Sequence, residues 1–109
     1  MSLEAKLIAG RSAAVLSHST CFIIGLIEGR LEAMGEKNHE TPYGAIFISN
    51  MMGSATWRLA EAQAKNSLQL PDQPTPLQGA AFGAFLGFVT ALPTYYIGYS
   101  VGYGLTLLS

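Results

Sequence analysis

A histidine and a cysteine lie three positions apart in the first apolar stretch, at His18 and Cys21. Residues three apart share one face of a helix, so both side chains could reach a single metal ion. Structural zinc sites use four protein ligands, and the only other histidine, His39, lies in a separate polar segment. Since two ligands do not make a site, we expect no metal and interpret both residues as buried groups that bond a neighbouring helix.

Four carboxylates recur at every fourth position: Glu28, Glu32, Glu36 and Glu40. A carboxylate at the edge of a membrane could relay protons. Like charges four residues apart on a helix repel one another, so such a run is more typical of a wetted surface or of a contact with a basic partner. We favour the surface interpretation and keep a relay through Glu28 as the alternative.

No arrangement of residues in the sequence is typical of an active site. No glycine-rich phosphate loop follows a predicted strand, because no strand is predicted. The two histidines lie in different segments, and no nucleophile, base and orienting group can be assembled around them. We therefore expect no enzymatic activity and no small-molecule substrate.

Glycine occupies every fourth position at Gly79, Gly83 and Gly87, and Ala91 continues the series. A helix face without side chains lets two backbones approach closely, which is how helices associate in lipid. The same spacing recurs in two further pairs, Gly25 with Gly29 and Gly98 with Gly102. We predict that all these positions pack against other membrane helices. Leucine at Gly83 should then dissociate the chain from a partner subunit, while alanine there should be partly tolerated.

Aromatic residues cluster near the end of the sequence. Tyr95, Tyr99 and Tyr103 are four positions apart, and Tyr96 stands beside the first of them. Tyrosine and tryptophan are enriched at the two membrane–water interfaces, so we predict an interfacial belt from these residues and Trp57. A grip on a lipid headgroup or on a partner loop is the alternative.

Helix boundaries are marked by one start signal used twice, Thr41 followed by Pro42 and Thr75 followed by Pro76. Threonine is a good N-cap and proline is favoured at the first helical position. Pro71 and Pro74 are incompatible with helix between the second and third segments. The sequence therefore predicts one all-α domain over residues 1–109, with helices at 2–34, 42–68 and 76–107 and a proline-rich link at 69–75.

Charge is scarce and unevenly distributed. Charged residues make up 12% of the chain, against about 25% in an average soluble domain, and none follows Asp72. A helix of about 20 residues crosses the bilayer core of about 30 Å, which the first and third helices can do. The second has a shorter apolar run that contains Asn50 and Ser54. We predict an integral membrane protein with two to three transmembrane helices.

The net charge of −1 excludes the basic surface that nucleic-acid binding requires. The partners that remain are other membrane subunits and membrane lipids. We expect no cofactor other than bound lipid, for example cardiolipin.

The glycine-rich segment 79–87 and the start Met1-Ser2-Leu3-Glu4, which lacks the basic opening of a signal peptide, carry a resemblance. The chain resembles the small accessory subunits of mitochondrial ATP synthase dimers, especially those of the green-algal type. The resemblance implies the mitochondrial inner membrane, no turnover of its own, and a role in dimer contacts or membrane curvature. Accessory subunits of respiratory complex I are similar on the same grounds. A small oligomeric transporter or channel, lined by polar residues of the first helix, is the alternative from another class.

Overall fold

The computed structural model describes residues 2–68 and 74–109 and contains three helices. Helix α1 spans Leu3–Ala33, α2 spans Tyr43–Ser67 and α3 spans Pro76–Leu108. The all-α fold class predicted from the sequence is confirmed, and each end lies within one residue of the predicted bound. Residues 69–73, which form most of the predicted proline-rich link, lie outside the described residues.

Helix α3 begins with the start signal that the sequence predicts. The Thr75 hydroxyl accepts a hydrogen bond from the Gln78 backbone N–H at 3.1 Å, and Gln78 Oε1 accepts from the Thr75 N–H at 3.0 Å. This reciprocal pair satisfies two backbone N–H donors that would otherwise lack a partner at the helix start. Pro76 occupies the first turn, where its missing N–H leaves no donor to satisfy.

Helix α2 begins differently from the prediction. Pro42 occupies the N-cap position, the helix starts at Tyr43, and no side chain caps it. The expected cap, Thr41, instead donates its hydroxyl hydrogen to the Glu28 carboxylate at 3.1 Å. The N-cap prediction for Thr41 is therefore wrong, because a buried charged acceptor on α1 binds this hydroxyl in place of the α2 backbone.

The contacts between helices fix their directions. Gly25 of α1 lies against Tyr95 of α3, and Gly29 lies against the next turn of α3, so α1 and α3 run parallel. Helix α2 runs antiparallel to both, since Gly79 near the start of α3 meets Arg58 near the end of α2. The bundle is 55 Å long and 21 × 19 Å across. We call the end where α1 and α3 begin the start end, and the end where residues 34–42 join α1 to α2 the link end.

Small and polar residues fill most of the inside of this bundle, with Ile46 and Tyr95 as its largest buried side chains, and large apolar residues cover its outside. The buried positions of α1 are Gly10, Ala14, Ser17, Cys21, Gly25, Glu28 and Gly29, and those of α3 are Gly79, Gly83, Gly87, Ala91, Tyr95, Gly98 and Gly102. Facing outward, Leu16 is 67% exposed and Phe85 is 61% exposed. This distribution is the reverse of a water-soluble bundle, in which a large apolar stripe faces the core.

Helix α2 follows the same rule. It buries Asn50, Gly53 and Ser54, whereas Ile48 and Met52 point outward, with Met52 65% exposed. Within the described residues, α1 and α3 are the helices long and apolar enough to cross a membrane. Helix α2 is more polar. Its buried polar side chains, Asn50 and Ser54, face α1 and α3, whereas Thr56, Gln63 and Asn66 are exposed.

Candidate functional site: glycine-lined helix interfaces and the Glu28 clasp

The glycine stripe of α3 packs directly on the backbone of α2. A Cβ atom added at Gly79 would lie 2.8 Å from the Arg58 carbonyl oxygen, and one added at Gly87 would lie 2.7 Å from Met51 Cα. At Gly83 the added atom would overlap the Ser54 carbonyl oxygen. Glycine is therefore needed at these positions because the two backbones touch.

The α1–α3 interface is built from glycines on both helices. Added Cβ atoms at Gly25 and Gly29 of α1 would overlap the backbone of α3, and those at Gly98 and Gly102 of α3 would overlap the backbone of α1. Ala91 is fully buried beside them. Every predicted packing position thus lies at a contact between helices of this chain. The expectation that the Gly79–Gly83–Gly87 stripe faces a partner subunit is wrong, because α2 already covers it.

Two further glycines, which the sequence interpretation missed, join α1 to α2. An added Cβ atom at Gly10 would lie 3.0 Å from Ala60 Cβ, and one at Gly53 would lie 2.8 Å from the Ala13 carbonyl oxygen. The signal was present as a run of small residues from Gly10 through Ala14 and Ser17, spaced three and four apart. Glycine pairs at a spacing of four do not include Gly10 or Gly53, because neither has another glycine four residues away.

A polar layer in the middle of the bundle connects all three helices around Asn50, which is fully buried. Asn50 Nδ2 donates to the Gly87 carbonyl oxygen at 2.7 Å and to Thr90 Oγ1 at 3.0 Å. Asn50 Oδ1 accepts from the Ser17 hydroxyl at 3.3 Å. An unsatisfied amide in an apolar interior is costly, so this residue holds three helices in one register.

His18 and Cys21 also bond to neighbouring helices. His18 Nε2 lies 3.3 Å from Thr90 Oγ1, and the Cys21 thiol donates to the Ile46 carbonyl oxygen at 3.6 Å. Among residues 2–68 and 74–109, no three histidine, cysteine, aspartate or glutamate side chains lie close enough together to hold a metal ion.

A cluster of charged and hydroxyl-bearing side chains lies at the link end, and we call it the Glu28 clasp: Glu28, Lys37, His39, Thr41 and Tyr95. Glu28 is 3% exposed, and its Oε1 atom accepts hydrogen bonds from Thr41 at 3.1 Å and from the Tyr95 hydroxyl at 3.2 Å. Lys37 Nζ lies 3.5 Å and His39 Nε2 4.0 Å from the same oxygen. One α1 carboxylate therefore ties α3 and the α1–α2 link together.

The position of Lys37 in the clasp explains the direction in which its pKa is shifted. Burial lowers the pKa of Lys37, but electrostatic interactions with Tyr95 and with the Glu28 carboxylate, together with the hydrogen bond to Glu28, outweigh burial and raise this pKa above its ordinary value of 10.5. The ammonium group also donates to Thr41 Oγ1 at 3.0 Å and lies 5.6 Å from the centre of the Tyr99 ring. Lys37 is therefore a fixed cation within the clasp.

The four glutamates predicted as one surface run have different environments. Glu32, Glu36 and Glu40 are exposed, whereas Glu28 is buried in the clasp. The surface interpretation is wrong for Glu28, because the link folds back over it and supplies Lys37 and the Thr41 hydroxyl, while α3 supplies the Tyr95 hydroxyl.

The predicted aromatic belt is also divided. Tyr96 and Tyr103 are exposed at the link end, and Tyr99 and Trp57 are half-buried, with Trp57 near the start end. Tyr95 is only 1% exposed and belongs to the clasp, so the belt prediction is wrong for this residue. The spacing of four correctly predicts that the three tyrosines lie on one side of α3. It could not show that α1 and the link cover Tyr95.

Comparisons of the chain with protein families, with curated proteins and with solved structures found no match.

Proposed function

We propose that this chain is a non-catalytic structural subunit of a large membrane complex. The observation that carries the proposal is the reversed distribution of residues, with glycine, alanine and polar groups inside and large apolar side chains outside. An outer surface of this kind is stable against lipid tails or against other membrane helices. All three helices then lie in the membrane, with Asn50 and Ser54 of α2 turned toward α1 and α3.

The buried polar groups support a structural role. Asn50 bonds to residues of α1 and α3, and Glu28 bonds to α3 and to the α1–α2 link. Bonds of this kind between helices fix the register of a bundle. The second carboxylate oxygen of Glu28, Oε2, is buried without a hydrogen-bond partner among the described residues. The bonds of Asn50 and of Glu28 Oε1 hold the subunit in shape.

Neighbouring subunits must use the outer surface, because the glycine faces are already occupied by the chain's own helices. Exposed apolar residues are available on every helix, for example Leu16, Met52 and Phe85. We propose that such side chains contact other subunits and lipid, and that they support assembly, dimer contacts or curvature of the membrane.

The specific complex that we propose is ATP synthase of the mitochondrial inner membrane, with respiratory complex I as the alternative. This step depends only on the resemblance of the glycine-rich segment 79–87 and of the first four residues. The distribution of residues in the bundle supports a membrane subunit in either complex.

The proposal is tested by native gel electrophoresis of membranes that carry the tagged chain, followed by identification of the proteins that migrate with it. We expect the chain to migrate with ATP synthase subunits, at one copy per complex or per protomer. Migration with complex I subunits would replace the named complex. A ring of several copies of this chain without other subunits would contradict the structural role and favour the channel.

A further inference from the structure

A cleft of about 440 Å³ opens at the start end, between the last turns of α2 and the first turns of α3. Three charged residues of α2 line it, Arg58, Glu61 and Lys65, and the apolar part of its lining includes Ala62 and Phe82. The cleft thus combines a charged rim with an apolar surface, at the end of the bundle where α3 begins.

Arg58 is held in place before any ligand arrives. The centre of its guanidinium group lies 4.3 Å from the Trp57 ring and 5.7 Å from the Phe82 ring, both within the range of cation–π attraction. Its Nη1 atom donates to Glu61 at 3.1 Å, and its buried Nε–H has no hydrogen-bond partner within residues 2–68 and 74–109. A fixed, planar guanidinium loses little conformational freedom when it binds an oxyanion.

The rim carries an excess of positive charge. Arg58 and Lys65 share one carboxylate, with distances to Glu61 Oε1 of 3.1 Å and 3.6 Å. Among the described residues that line the cleft, two cations and one anion leave a net charge of +1. Arginine and lysine together are favoured partners of phosphate oxygens, so the charge fits one phosphate group.

The apolar surface continues away from the rim along α3, where Phe82 is 54% exposed and Phe85 is 61% exposed. A ligand with a phosphate at Arg58 and Lys65 and with hydrocarbon along these rings would match both parts. We propose that this cleft binds the headgroup of an anionic phospholipid, with its acyl chains along the outside of α3. This inference rests on the membrane location in the proposed function.

The test is native mass spectrometry of the full chain in detergent, titrated with phosphatidylglycerol and, separately, with phosphatidylcholine. We expect preferential binding of phosphatidylglycerol. Arg58→Gln should weaken this binding about tenfold, as expected for the loss of a charge-assisted hydrogen bond. Lys65→Gln, at a more exposed position, should weaken it about fivefold. Circular dichroism checks that each variant remains helical.

Arg11→Gln is the matched control, because Arg11 is an exposed arginine of α1 near the same end and outside the cleft. It removes the same charge and should leave the binding of phosphatidylglycerol nearly unchanged. Equal binding of both lipids, or equal losses from Arg11→Gln and Arg58→Gln, would overturn the proposal. Displacement of the lipid by inorganic phosphate at equal concentration would assign the site to a free anion instead of a lipid.

The outcome is separable from that of the proposed function. A chain that prefers phosphatidylglycerol but migrates alone on native gels keeps the lipid site and loses the structural role. A chain that migrates with a large complex but shows no lipid preference keeps the role and loses the site.

Discussion

Gly83 has no room for a side chain, because the place of its missing Cβ atom is taken by the backbone of α2 at Ser54 and Ala55. The sequence showed that this position belongs to a stripe of small residues, since a spacing of four defines a helix face. It could not show which helix covers the stripe, because spacing carries no information about the partner. The covering helix is α2 of the same chain, which changes the expected effect of substitutions at residue 83.

Gly83→Ala should destabilise the bundle itself, in place of the partial tolerance expected from the sequence. The added methyl group forces α2 and α3 apart, and overpacking of this kind costs about 1–3 kcal/mol. The free energy of unfolding in detergent micelles measures the effect.

The control is Gly104→Ala, on the same helix, where an added Cβ atom meets nothing within 4 Å. It should leave the free energy of unfolding unchanged or raise it by up to about 1 kcal/mol, because alanine is a better helix former than glycine. If the two variants were equally stable, close contact between the α2 and α3 backbones at Gly83 would be excluded.

At the scale of the elements, the start of α2 is the instructive case. Thr75 and Thr41 carry the same signal in the sequence, yet Thr75 caps α3 and Thr41 binds Glu28. The helix bounds were predictable because proline and the polar link interrupt the helices locally. The clasp was not predictable from the sequence, because it joins Glu28, the link and Tyr95, which are far apart in sequence.

Glu28→Gln should release the α1–α2 link while the three helices remain formed. The substitution removes the carboxylate charge that holds Lys37, and hydrogen bonds to charged groups contribute about 1.5–3 kcal/mol. Hydrogen exchange at the backbone amides of Gly35 and Glu36, which bond to the Glu32 and Leu31 carbonyl oxygens, should become about tenfold faster or more. Mass spectrometry of the exchanged peptides measures this rate.

Glu32→Gln provides the control, because Glu32 is exposed one turn farther along α1 and lies outside the clasp. Equal exchange in the two variants would mean that the carboxylate of Glu28 does not hold the link. Loss of turnover by an intact complex that carries Glu28→Gln would instead favour the proton relay.

The pH dependence of the clasp follows from Lys37. Its pKa in the folded chain is raised above 10.5, so the stabilisation is fully present below that pH and is lost as the pH rises through the raised value. Exchange of the Gly35 and Glu36 amides should therefore be slow at neutral pH, relative to free peptide, and lose this protection only in strongly alkaline solution.

For the whole molecule, the reversed distribution of residues is the central feature. The scarcity of charge and the length of the apolar runs predicted a membrane protein from the sequence. The inward orientation of Asn50 and Ser54 on α2 could not be predicted without the structure of the bundle, because it depends on which faces of α1 and α3 carry small residues. The identity of the complex depends on surfaces of other subunits, which this sequence does not contain.

Alkaline carbonate extraction tests the membrane location most directly. The outer side chains of α1 and α3 should keep the chain in the membrane pellet even though the clasp loosens at alkaline pH, because apolar burial in lipid does not depend on Lys37. A peripheral membrane protein in the same sample should move to the supernatant. Recovery of this chain in the supernatant as well would contradict the account.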